Sequence, residues 1–320
     1  MPDREWEENK AGTAQTGDSS FALDIEQANR LKKRAAIASV TVATVLIATK
    51  TVAWFATGSV SMLSTMIDSF LDLAASLINL LAIRHAAIPA DKEHRFGHGK
   101  AEPLAGLGQA AFIGGSALFL VVEATQRLVH PQPVENATIG VLVMVFSIAV
   151  TSALVLYQKW VIRRTASIAI GADSLHYLSD LLVNLGVILA LVLVTQLGWA
   201  RADPLIALAV ALFIVYSAWE VLQTSLNLLM DRELPVADRE RIEELARSHP
   251  GVRNLHDLRT RSSGTQVFIQ LHLEMEPQIS LSEAHRISDQ VMDRIEESFP
   301  GAEVLIHEDP YGVDEKRQEF

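Results

Sequence analysis

Long apolar runs and short polar breaks alternate along the first two thirds of the chain, and from about residue 231 the pattern changes to short amphipathic segments. A hydrocarbon core of roughly 30 Å takes about 20 helical residues at about 1.5 Å rise each. Stretches of that length are Ala35 to Phe55, Val60 to Ile83, Leu104 to Val129, Ala137 to Leu156, Ile168 to Leu197 and Pro204 to Met230. They predict an all-α, six-helix transmembrane bundle over residues 35–230. Asp203 and Pro204 are expected to open the last helix, as an acidic N-cap and a proline at the first helical position. Lysine and arginine crowd one side: Arg30, Lys32, Lys33 and Arg34, then Arg84, Lys92, Arg95 and Lys100, then Lys159, Arg163 and Arg164, against Arg127 and Arg201 on the other. The positive-inside rule therefore predicts that both termini are cytoplasmic. Residues 1–34 are polar and mixed in charge, which predicts a flexible cytoplasmic tail and no signal peptide.

Beyond Asp231 the periodicities are those of a small soluble domain. Leu234 to His249 is expected as a helix stopped by Pro250-Gly251, and Val252 to Arg261 with Thr265 to Met275 as a hairpin across Ser262-Ser263-Gly264. Ser280 and Glu283 form a capping box for a helix to Phe299 with Ile287, Val291 and Ile295 on one stripe, and Ala302 to His307 is a last strand. The order αββαβ predicts a C-terminal cytoplasmic α+β domain over residues 231–311, with 312–320 as a tail.

Composition sharpens this picture. Hydrophobic residues make up 49% and charged residues 20% of 320, with a mean hydropathy of +0.23, as expected of apolar residues gathered into spans. The absence of cysteine removes disulfides, thiolate zinc sites, iron–sulfur clusters and thiol catalysis, so any metal is held by nitrogen and oxygen. Residues 231–320 carry 11 basic and 20 acidic side chains, which places −9 of the −11 net charge in the soluble part. A pI near 5.4 argues against nucleic acid as partner, and ten histidines beside an acidic surplus point to cations.

Charges inside the spans carry the chemistry. Asp68 and Asp72 share one face of the second span, and His176 and Asp180 repeat the same spacing in the fifth. An aspartate at mid-bilayer costs about 2.5–3.5 kcal/mol on insertion scales, so three of them call for a cation. Pairing with protein cations, or protonation, is the plain alternative, but Lys50 is the one lysine in an apolar stretch and it either snorkels or faces the polar interior. Three carboxylates and an imidazole suit tetrahedral Zn²⁺, with Fe²⁺, Co²⁺ or Cd²⁺ as further choices, while histidine disfavours Mg²⁺ and Ca²⁺. No His-Glu-x-x-His helix marks a zinc hydrolase, and no Gly-x-x-x-x-Gly-Lys loop marks an ATP-driven pump. Transport on an ion gradient remains. Histidine and carboxylates bind metal when deprotonated, so exchange of metal for protons follows.

Two further groups are of interest. Asp91, His94 and His98 follow the second span at spacings that let a turn gather one oxygen and two nitrogens, or else are solvated loop groups. In the soluble domain Val267, Ile269, Leu271, Leu273 and Met275 share one strand face, which turns His272 to the other; His256, His285, His307 and Asp309 lie on neighbouring elements. His85, His130 and His249 have no evident partner, and Glu123 with Arg127 is read as a helical ion pair.

Asp68-x-x-x-Asp72, His176-x-x-x-Asp180, the loop Asp91-Lys92-Glu93-His94-Arg95-Phe96-Gly97-His98-Gly99-Lys100 and the run Leu255-His256-Asp257-Leu258-Arg259-Thr260-Arg261 together resemble the cation diffusion facilitators, and most closely their bacterial zinc and ferrous-iron efflux branch. The resemblance spans nearly the whole chain after the tail. It implies a homodimeric Zn²⁺/H⁺ antiporter of the bacterial inner membrane with six spans and a metallochaperone-like, metal-binding dimerisation domain. It further implies a second metal site at Asp91, His94 and His98. In the cytoplasmic domain it implies a binuclear site of His256, His272, His285, His307 and a bridging Asp309. Lys100 and Asp231 match the family's charge pair at the dimer junction. Fe²⁺ or another first-row ion as physiological cargo, and a membrane metal sensor signalling through the soluble domain, are the alternatives; a sensor has no need of the mid-membrane site.

Overall fold

The structure, a computed structural model, describes residues 25–57, 60–129, 138–197, 199, 201–264 and 266–313. Among the described residues six long helices come first: α1 Ile25–Thr57, α2 Val60–Ala86, α3 Ala101–Val129, α4 Thr138–Thr165, α5 Ile168–Leu197 and α6 Ala202–Leu229. Among the described residues α1, α2, α3, α4 and α6 are long and apolar enough to cross a membrane. The 30-residue α5 is the remaining expected span, and its first half carries Asp173, His176 and Asp180.

Helix ends depart from the expectations where polar residues continue a helical pattern. Helix α1 begins at Ile25, well before the apolar stretch, because Glu26 and Arg30 pair one turn apart and Lys32 is buried against α3. Residues 1–24 of the expected tail, His130 and residues 314–320 lie outside the described residues, as does the Arg127 side chain. Helix α4 runs on past Leu156 to Thr165, carrying Gln158 into the bundle and stacking Arg164 over the Trp160 ring at 4.3 Å. Helix α6 starts two residues early, at Ala202 instead of Pro204, with Arg201 in place of Asp203 as an N-cap that makes no side-chain capping bond.

The bundle packs through small residues, as helices in lipid must do without a hydrophobic drive between them. Helix α3 lies along α6, and Ala110, Ala117 and Ala124 are buried at seven-residue spacing beside the buried Ala211 and Ala218 of α6. Helix α1 packs on α2 and α4, and α5 joins α4 to α6.

At the bundle's centre the contacts are polar. Asp173 on α5 is fully buried and accepts hydrogen bonds from Ser39 Oγ on α1 (2.5 Å), Gln158 Nε2 on α4 (2.7 Å) and Gln109 Nε2 on α3 (3.4 Å). Ser76 Oγ of α2 is 3.5 Å from Asp173 and 2.8 Å from the Tyr177 hydroxyl. Near one end, Lys32 Nζ donates to Glu102 Oε1 at 2.6 Å, and Ser167 Oγ donates to Glu102 Oε2 at 2.6 Å. This pair ties α1, α3 and the start of α5 together.

After α6, Glu233 clamps the chain to the soluble domain, its carboxylate accepting from the Thr260 N–H (2.8 Å) and hydroxyl, while the Leu234 N–H donates to Thr260 Oγ1 at 2.9 Å. The domain consists of α7 Val236–Arg247, β1 Asn254–Ser263, β2 Gln266–Met275, α8 Leu281–Ser298 and β3 Glu303–Pro310. The sheet order is β1-β2-β3, antiparallel in the first pair and parallel in the second. As the alternation predicts, Ile269, Leu271, Leu273 and Met275 face a core completed by Ile242 of α7, Ile287, Val291 and Ile295 of α8 and Val304 of β3. The Ser280 hydroxyl caps the Glu283 N–H at 3.2 Å, but the Glu283 carboxylate pairs with Arg286 instead of returning to the cap, so the capping box is half formed. The last strand runs three residues past the expected His307, which keeps His307 and Asp309 on one sheet face.

The sheet face turned away from the core, the one that carries His307 and Asp309, docks through Phe268 on the loop between α2 and α3. The Phe96 and Phe268 rings meet edge to face at 5.5 Å, and Arg261 lies over both. Gly99 makes the approach feasible, since a Cβ there would sit 2.3 Å from the Ser263 carbonyl oxygen; the hairpin turns beside it at Gly264, with φ +64.

Candidate metal centre

Among the described residues three clusters of histidine and carboxylate form, each with its donor atoms within 4.8 Å of one another: Asp72, His176 and Asp180; Asp91, His94 and His98; and His256, His272 and Asp309.

The first lies between α2 and α5. His176 Nε2 is 2.9 Å from Asp72 Oδ1 and 4.0 Å from Asp180 Oδ2. The i,i+4 spacing puts Asp180 over the same helix face as His176, and helix packing brings Asp72 opposite. Asp68, one turn along α2, is exposed and stands outside this trio. Lys50 directs its ammonium to Ser69 Oγ (2.6 Å) and the Thr65 carbonyl (3.2 Å), and so faces α2. Asp173, three residues before His176 and on the same face of α5, is a further polar residue that the sequence signals only by that spacing.

The second cluster is built by a tight turn. Asp91 Oδ1 accepts the backbone N–H groups of Glu93 (2.9 Å) and His94 (2.6 Å), an Asx-type turn that folds the loop back on itself. The His94 N–H bond, then the Glu93 one, outweighs desolvation and holds the Asp91 carboxyl below its ordinary range, so it is present as a carboxylate. Asp91 lies 3.5 Å from His94 Nδ1 and 3.4 Å from His98 Nε2. His98 is buried, and its Nδ1 sits 3.3 Å from the Ile88 carbonyl, which turns Nε2 towards Asp91. His85 has a neighbour after all, its ring meeting that of His98 edge to face at 4.8 Å.

Sheet register assembles the third. His256 pairs with His272 across β1 and β2, and His272 with His307 across β2 and β3, so three imidazoles stand in one row with centroids 5.0 and 4.6 Å apart. Asp309, two residues beyond His307, is buried at the centre: its Oδ2 is 2.8 Å from His272 Nδ1 and 3.5 Å from His256 Nε2, and its Oδ1 is 3.1 Å from His307 Nε2. One oxygen thus faces two rings and the other faces the third, the arrangement a bridging carboxylate needs. Glu274, not among the expected site residues, lies 3.0 Å from His256 Nδ1. His285 stands apart on α8, 72% exposed and nearest to Asp289 and Glu308. His249 is structural, bonded to Gln290 at 2.7 Å and to the Gly251 N–H at 3.0 Å.

Lys100 meets Asp231 at 2.9 Å, and Arg261 approaches the same carboxylate at 3.4 Å. Partial burial pushes the Asp231 carboxyl up, but Lys100 and then Arg261 outweigh it and hold it below its ordinary range.

Comparison with known proteins agrees with both halves of this architecture. The profile of the cation efflux transmembrane domain matches residues 36–230, and that of the cation efflux protein cytoplasmic domain matches residues 234–311. The chain is 49% identical over 284 residues to the cation-efflux pump FieF of Klebsiella pneumoniae, covering 89% of this chain and 94% of that protein. It is 48% identical, at the same coverage, to FieF of Salmonella newport. Among solved structures, CzrB in a zinc form is 32% identical over 27% of this chain and 99% of that one, with a TM-score of 0.24. The chain is therefore a member of the cation efflux family, the cation diffusion facilitators, and is a membrane transporter of metal cations and not an enzyme.

Proposed function

We propose that the protein exports divalent transition-metal ions from the cytoplasm in exchange for protons, with Zn²⁺ as first cargo and Fe²⁺, Cd²⁺ and Co²⁺ within reach of the same ligands. The observation that carries this reading is the placement of Asp72, His176 and Asp180 together between two membrane helices, with donor atoms within 4.8 Å. Two carboxylate oxygens and one imidazole nitrogen are three of the four donors of a tetrahedral Zn²⁺ site, and Asp68 supplies the fourth from the next turn of α2. An ion bound this way is cargo: it arrives, is held by ligands on two helices and leaves when those helices part.

Proton coupling is supported by the same atoms. His176 Nε2 is 2.9 Å from Asp72. Protonated, that nitrogen donates to the carboxylate; metal needs its lone pair bare. Metal and proton thus compete for one nitrogen, and a proton gradient biases the competition. Alternating access follows if the site faces one side of the membrane at a time.

In this reading both termini are cytoplasmic, as the lysine and arginine distribution predicts, and the protein is a homodimer in the bacterial inner membrane. Zn²⁺ held by the cytoplasmic row of histidines regulates instead of being transported, neutralising part of the −9 charge of that domain. The deciding experiment is Zn²⁺ flux into liposomes holding purified protein under an imposed pH gradient. Wild type should show pH-dependent flux, and His176→Ala and Asp72→Ala should not. Flux indifferent to the gradient would overturn the antiport reading; unchanged flux in both variants would overturn the site.

A further inference from the structure

We infer that His85 is a ligand of the loop metal site, which makes that site a closed, four-donor centre of Asp91, His94, His98 and His85. The inference rests on the reading that the loop cluster binds metal.

His85 occupies the last turn of α2, and the other three residues lie on the loop that follows. The loop folds back because Asp91 caps its own turn and because His98 Nδ1 reaches the Ile88 carbonyl. Folding back brings the His98 ring to 4.8 Å from His85 and 4.5 Å from His94. Two imidazoles on one tetrahedral ion, each with a metal–nitrogen bond of about 2.0–2.1 Å, have ring centres about 5 Å apart. Both observed spacings are near that value; the His85 nitrogens stand outside the group whose donor atoms already lie within 4.8 Å of one another, so His85 joins the site by turning its exposed ring when the ion binds. His98 itself is oriented for ligation: its Nδ1 faces a carbonyl, which leaves Nε2 for the metal. An edge-to-face meeting of His85 and His98 with no ion between them gives a similar spacing, and the number of histidines on the bound ion separates the two.

The chemical consequence follows from ligand number. Three protein ligands leave a position for exchange; four close the coordination sphere, as in structural zinc centres. A closed Asp-His₃ site takes Zn²⁺ or Co²⁺ and retains it instead of relaying it to the membrane site. It also fixes the end of α2 to the loop whose Phe96 packs on Phe268 of the cytoplasmic domain, so its ion braces the junction between the two domains.

The test uses the full-length protein in detergent with the other two clusters disabled by His176→Ala, Asp72→Ala, His256→Ala and Asp309→Ala, titrated with Co²⁺. The parent should bind one Co²⁺ per chain with the intense visible absorption of tetrahedral coordination, and X-ray absorption should count three histidines. His85→Phe keeps the ring contact and removes the nitrogens. Loss of an outer hydrogen-bond partner weakens metal sites about 10- to 100-fold, so losing a direct ligand should weaken binding by more than about tenfold. The absorption should shift and the histidine count fall to two. Unchanged affinity and spectrum in His85→Phe, with binding lost in Asp91→Ala, would overturn the role of His85 and keep the three-residue site. A parent that binds no Co²⁺ would overturn both. Size-exclusion profiles of the variants, matched to the parent, guard against misfolding.

Discussion

His272 and His307 stand opposite each other in the parallel register of β2 and β3, ring centroids 4.6 Å apart, with Asp309 touching both. Because side chains alternate along a strand, a one-residue slip of β3 would turn His307 and Asp309 into the core and Val304 out of it. The register that packs the domain is therefore the register that assembles the cluster. Asp309→Ala removes the one carboxylate that faces three rings and should abolish Zn²⁺ binding to the cytoplasmic domain of the full-length protein. His285→Ala, at an exposed position on α8, should cost less. Calorimetric titration with the other two clusters disabled measures both; equal losses would show that α8 is drawn in when metal binds.

The buried pair of Lys32 and Glu102 makes a sharper thermodynamic prediction. Both side chains are nearly inaccessible, 2% and 5% exposed, and Ser167 satisfies the second carboxylate oxygen. Removing one member of such a pair costs about 3–5 kcal/mol, because the other is left charged and buried, whereas replacing both with apolar groups is often neutral. Lys32→Met should lower the apparent melting temperature of the detergent-solubilised protein sharply, and the double variant Lys32→Met/Glu102→Leu should recover most of it. A double variant no better than the single one would mean that Glu102 is held by other partners.

How far the sequence revealed this molecule depended on whether a residue's neighbours are local. Span positions, the αββαβ order and the faces of β2 follow from periodicity, and all were legible. Asp72 and His176 were legible as well, because charge in an apolar run is conspicuous. Asp173 escaped notice although it is the most deeply buried acid of α5: its partners, Ser39, Gln109 and Gln158, are neutral residues on three other spans, and nothing in a single polar position announces that it will meet the rest. Lys32 was assigned to a tail for the same reason, since Glu102, 70 residues away, decides that it is buried. His85 lacked a visible partner until the loop folded His98 back onto it.

Lys100 and Asp231 join the start of α3 to the end of α6, and their exposure of 38% and 41% limits what they contribute. Such a half-exposed pair is worth up to about 1 kcal/mol and is screened by salt. The Asp231 carboxyl is held below its ordinary range, so its contribution is fully present above the unfolded aspartate value of about 3.9 and is lost as pH falls through the lower folded value. Melting curves should therefore show the same small difference between wild type and Lys100→Ala at every pH from about 5 to 8. That difference should shrink in acid below about pH 4 and in molar salt. A difference that instead changes near neutral pH would point to a histidine and not to this pair.

At the membrane site the two aspartates of α2 should prove unequal. Asp72 contacts His176 at 2.9 Å, whereas Asp68 lies one turn away and outside the group whose donors already converge. Asp72→Asn leaves His176 without the carboxylate that orients it and takes a charged ligand from the ion, so Zn²⁺ flux should be abolished. Asp68→Asn leaves three donors gathered, and its expected signature is a raised half-saturating Zn²⁺ concentration with residual flux at high metal. The comparison also reads out the loaded geometry: if Asp68→Asn is as inactive as Asp72→Asn, then α2 turns as the ion binds and brings Asp68 into the coordination sphere as an equal ligand. Concentration-dependent uptake into liposomes, at one fixed pH gradient, distinguishes the two cases.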